Sequence, residues 1–152
     1  MKIVLATLAS VALITAQSGA QEAKIARTAL PPAVEKTVQK ETAGATIKGF
    51  ATERENGKKV YEAETVVNGH TRDLQIAIDG TLNEIEEEVA MDSLPAPVQA
   101  ALKARAGDAS IIKVESLVKH GKLVAYEAAT RKGSKNGEVQ VGPAGESLKR
   151  SE

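Results

Sequence analysis

The chain has 152 residues, 20 Lys plus Arg against 20 Asp plus Glu, no Cys, no Trp, and only Phe50, Tyr61 and Tyr126 as aromatics. So even a balance gives no electrostatic pull toward nucleic acid or an anionic membrane surface. The lack of Cys excludes a disulfide framework, so an aliphatic core must supply the stability.

Lys2, an apolar run over residues 3–16 and the small residues Ser18, Gly19 and Ala20 follow the order of a secretory signal peptide. The apolar run is shorter than the roughly 20 residues that a membrane-spanning helix needs. Cleavage is therefore expected near Ala20, with a periplasmic or secreted product and no membrane span in the mature chain. Residues 21–29 read as a polar, alanine-rich linker. Pro31 and Pro32 then suit the start of a helix, where a missing N–H costs nothing. Val34 and Val38 lie one helical turn apart, and Gly44 closes a short helix that needs a packing partner.

Beyond Gly44 the pattern becomes extended. Asn56-Gly57, Asn68-Gly69 and Asp79-Gly80 are tight-turn pairs. They delimit four antiparallel strands, expected at 45–55, 58–67, 70–78 and 81–89. The same order then recurs. Leu30-Pro31, Val34, Val38 and Ile47 match Leu94-Pro95, Val98, Leu102 and Ile111, each 64 positions on. Tyr61-Glu62-Ala63 matches Tyr126-Glu127-Ala128 at 65, so one residue is inserted inside a strand, as in a β-bulge. A second helix is expected at 95–106, followed by strands at 110–119 and 122–130, a basic loop over 131–137, and short strands at 138–141 and 146–149.

Alternation assigns the faces. Tyr61, Ala63 and Thr65 share one side of the second strand, while Glu62 and Glu64 share the other. In the third strand Leu74, Ile76 and Ile78 are expected under the helix, opposite Asp73 and Gln75. The open face then carries Glu62, Glu64, Asp73, Gln75 and Glu127, the candidate interaction face. Ile47 and Phe50, like Ile111 and Val114, are three apart and cannot both point inward from a regular strand, so a bulge is expected there.

The remaining chemistry is sparse. Glu84, Glu86, Glu87 and Glu88 lack the loop spacing of a calcium site and read as a solvated or edge-protecting strand. His70 and His120 sit beside turn glycines; a two-His site needs a third ligand and converging geometry, and no Cys is available, so no metal is assigned. No serine lies in a nucleophile elbow, and no Gly-rich segment leads from a strand into a helix. A non-catalytic protein without a cofactor is expected.

The Leu-Pro helix starts, the Gly-Ala step at Gly44-Ala45 with its counterpart at Gly107 to Ala109, the Gly-Lys turns, and the Tyr-Glu strands at Tyr61-Glu62 and Tyr126-Glu127 together resemble the PepSY-like family. The resemblance is to its subgroup likened to β-lactamase inhibitor protein, and it covers residues 30–148. It implies an α+β fold of two tandem repeats, 30–91 and 92–152, each a helix plus a four-stranded antiparallel sheet. The two sheets can join into one continuous curved sheet with the helices on one face. It also implies an exported protein-interaction module, peptidase-regulating or inhibitor-like, that contacts a protein or peptide of the cell envelope. A cation-responsive sensor using the acidic fourth strand, or a structural envelope component, is the alternative.

Overall fold

The computed structural model describes residues 22–149; the signal-peptide reading and its cleavage site lie outside them. Within that span, helix α1 (Pro32–Glu41) precedes strands β2 (Thr46–Glu55), β3 (Lys58–Val67), β4 (His70–Ala77) and β5 (Leu82–Glu88). Helix α2 (Ala96–Ala106) precedes β6 (Ser110–Lys119), β7 (Lys122–Lys132) and β8 (Lys135–Val141). A two-residue strand β1 (Ala23–Lys24) comes before α1. All eight strands form one antiparallel sheet in the order β1 to β8, each pairing with its neighbour in sequence. The fold is thus α+β, with two helices and one open sheet.

Turn chemistry sets this meander. Asn56 and Gly57, and likewise Asn68 and Gly69, all have positive φ, the conformation that lets a two-residue turn follow the twist of its flanking strands. Asp79-Gly80 works differently. Only Gly80 has positive φ, and the Asp79 carboxylate accepts the Thr81 amide at 2.9 Å. Both expected bulges are present, as register shifts between Ile47 and Gly49 and between Ile111 and Lys113. A third shift, between Leu117 and Val118, accommodates the residue inserted after Lys122.

The helices cover one face. Val34 and Val38 of α1 are fully buried with Phe50, Tyr61, Ala63, Leu74 and Ile76. Val98 and Leu102 of α2 pack with Leu94, Val114, Ala128 and Val141, and Tyr126 lies partly buried against them. Each helix therefore presents one i, i+4 apolar pair to the sheet, enough for a short helix that does not stand alone.

Four expectations are corrected. Residues 21–29 are not merely a linker: β1 pairs with β2 through Ala23 opposite Thr52, and a 3-10 turn follows at Arg27–Ala29. Residues 131–137 are not a long loop, because β7 and β8 run on until Lys132 faces Lys135 across Gly133-Ser134. Residues 146–149 form no strand. Finally, Ile78 is 60% exposed. The chain leaves the sheet after Ala77 for the turn, so Ile78 escapes the alternation that buries Leu74 and Ile76.

Candidate interaction face

The face away from the helices is built by the residues between the buried ones. Glu62 of β3 stands opposite Gln75 of β4, Gln75 opposite Glu84 of β5, and Glu84 opposite Lys119 of β6. One step along, Asp73 faces Glu86, and Glu86 faces Leu117. Next come Glu88 opposite Glu115, Glu115 opposite Glu127, and Glu127 opposite Gln140. Glu22, Glu53, Glu62, Asp73, Gln75, Glu84, Glu86 and Glu138 line one groove of about 390 Å³. A groove that reaches from beside β1 to β8 requires the sheet to curve, with its open face concave.

Curvature withdraws these carboxylates from water. Glu84 and Glu115 are buried, and each has a lysine: Lys119 Nζ lies 3.2 Å from Glu84 and 3.9 Å from Glu55, and Lys113 Nζ lies 2.8 Å from Glu115. Burial works against the Lys113 charge, but the Glu115 partner wins and holds its pKa above the usual lysine value. Glu62 and Glu86 have no ion-pair partner among the described residues. Burial, reinforced by Asp73, Glu22, Glu53 and Glu64, pushes Glu62 up to about 7. Burial and then Glu84 push Glu86 up to about 8. Asp73 is raised by burial, although the Thr65 amide donates to it at 3.0 Å and pulls the other way. Glu127 is raised by burial against the opposing hydrogen bond from Gln140.

The structure therefore brings Glu62, Asp73 and Gln75 into one groove. Glu127 lies further along the same face beside Glu115. Glu64 reaches over Gly49, where a Cβ would come within 3.0 Å of its carboxylate. Sequence reasoning singled out neither Glu53, Glu115 nor Glu138, and left Glu84 and Glu86 off the candidate face. It also read 84–88 as edge-protecting or solvated, whereas β5 is an interior strand paired on both sides and Glu84 is buried. Among the described residues, no group of three or more Asp, Glu and His could hold a metal ion, and no helix is long and apolar enough to cross a membrane.

A curved antiparallel sheet with helices on its convex side and a broad polar hollow on the other is an α+β scaffold with an open surface. Solved structures share it. A protein from Bacteroides eggerthii described as periplasmic superposes with a TM-score of 0.62 at 20% identity, covering 76% of this chain and 84% of that one. A DUF2874 family protein from Bacteroides ovatus gives 0.60 at 21%, covering 78% and 85%. A BLIP-like protein from Bacteroides fragilis gives 0.55 at 18%, covering 74% and 79%. The fold is thus the PepSY-like, BLIP-like one that the sequence resembles. No protein-family model matches the chain, and no curated protein matches it.

Proposed function

We propose that this chain is an exported, non-catalytic protein-interaction module, two tandem copies of one helix-plus-sheet unit at 30–91 and 92–152, whose concave acidic face takes a cationic segment of a partner protein. The observation that carries the reading is the carboxylate-lined groove running across the open face, where Lys119 and Lys113 pair with Glu84 and Glu115. Half-buried like charges cost stability in the free protein, and a lysine- or arginine-bearing partner relieves that cost on binding. The signal-like N-terminus and the shared fold with proteins described as periplasmic support a periplasmic or secreted location. The 64- and 65-residue spacings support the duplication, as do Gly80 and Gly145, each pressed against a carbonyl in the first turn of its helix. An inhibitor-like role is the narrower form of the same reading, supported by the BLIP-like fold alone.

The test is pull-down from a periplasmic extract with the chain lacking residues 1–20, beside Glu62→Lys/Glu64→Lys, at low and at physiological salt. The expected result is a partner captured by the parent protein, released as salt rises, and absent with the charge-reversed protein. Identical capture by both proteins overturns the face assignment.

A further inference from the structure

Glu86 occupies β5, an interior strand, and faces Asp73 on one side and Leu117 on the other. Glu84 lies two residues away on the same strand and face, and both carboxylates line the one groove. Like charges confined to one groove repel, and a proton taken up by either relieves that repulsion.

The charges around the pair come from every element near it. Asp73 stands on β4, Glu62 and Glu64 on β3, Glu53 on β2 and Glu22 ahead of β1; Glu115, Lys113 and Lys119 belong to β6, Glu127 to β7 and Glu138 to β8. Arg105 of α2 lines a second cavity that Glu86 also borders. Lys119 is engaged by Glu84 and Glu55, and Lys113 by Glu115. Among the described residues Glu86 is in no ion pair. A separate feature fits the same groove. Gln75 Nε2 donates to Glu53 at 2.9 Å, which fixes the amide's orientation, while its Oε1 is buried and accepts no hydrogen bond from any described residue. A protonated carboxyl is a donor of the kind that this oxygen lacks.

We propose that the concave face is a pH-responsive device, in which Glu86 takes up and releases a proton in the middle of the carboxylate array and thereby sets both the charge of the face and the tightness of the sheet. This concerns the free protein and stands whether or not the partner reading does. A carboxyl that holds its proton more tightly folded than unfolded contributes stability that is complete below the ordinary carboxylate range. That stability is lost as pH rises through the folded value, about 8 for Glu86. Acidification from that value therefore firms the sheet and discharges the groove.

The experiment is a carbon-detected NMR titration of the carboxyls in the chain lacking residues 1–20, together with melting curves between about pH 5 and about pH 8.5. Glu86→Gln is compared with Asp92→Asn, an exposed carboxyl ahead of α2. A Glu86 midpoint well above the ordinary glutamate range is expected, as is a parent melting temperature that falls as pH rises. Glu86→Gln should melt above the parent at the alkaline end and flatten the slope, while Asp92→Asn keeps it. An ordinary Glu86 midpoint overturns the proposal, as does an unchanged slope in a folded Glu86→Gln. The midpoint is read on the parent protein, so a variant that fails to fold leaves the decision intact.

Discussion

Gly80 does two jobs that no other residue can do at once. Its φ of +87° belongs to the left-handed region, and a Cβ placed there would lie 2.7 Å from the Ala33 carbonyl oxygen. The close approach also lets Thr37 donate its hydroxyl to the Gly80 carbonyl at 2.6 Å, tying α1 to the turn between β4 and β5. Gly57 has a similar φ of +78° but nothing within 4 Å of a Cβ position. The two substitutions should therefore separate backbone strain from steric conflict. Gly57→Ala is expected to cost about 1 kcal/mol, and Gly80→Ala about 2 kcal/mol or more, in urea unfolding. Equal costs would mean that the α1 contact carries no weight.

At the scale of elements, β5 decides how the molecule is put together. Glu84, Glu86 and Glu88 alternate with Ile85 and Glu87 in a pattern that reads the same for an edge strand as for one beneath a wet concave face. Charge therefore does not distinguish the two. The pairing of Ile85 with Leu74 on one side and Val118 on the other makes β5 interior, so the halves of the sheet share it without a break. Amides of β4 and β5 should exchange with solvent far more slowly than those of β1 or the outer side of β8, a ranking that native-state hydrogen exchange reads directly. Rapid exchange in β5 would mean that the junction opens on its own.

The same contrast marks what could be read from the chain. Asn56-Gly57 and Asn68-Gly69, the i, i+4 valines of α1 and the three-residue spacing of Ile47 and Phe50 are local signals, and each located its element. The two-residue β1 is too short to leave a periodic signal, and the burial of Glu84 and the raised carboxyls depend on curvature, which joins residues as distant as Glu22 and Glu138 and leaves no local trace. Glu62, Asp73 and Gln75 were placed on the right face by alternation alone. Their crowding was not legible, because no single strand carries it.

For the molecule as a whole, two apolar clusters lie under one uninterrupted sheet. Leu74 anchors the first and Leu102 the second, and both are fully buried. Leu74→Ala and Leu102→Ala are each expected to cost about 2–5 kcal/mol. Because the sheet is shared, each should shift the same single cooperative transition, followed by circular dichroism and tyrosine fluorescence together. Two separated transitions in either variant would show that the halves unfold independently.

The order β1 to β8 also bears on how the native state is reached. Every strand pairs with the one made just before it, with α1 inserted between β1 and β2 and α2 between β5 and β6. Mean contact separation along the chain is therefore short for so strand-rich a protein, and little chain entropy is spent before the first hairpin is rewarded. A chain emerging amino end first can lay down its strands one at a time, each on a template already finished.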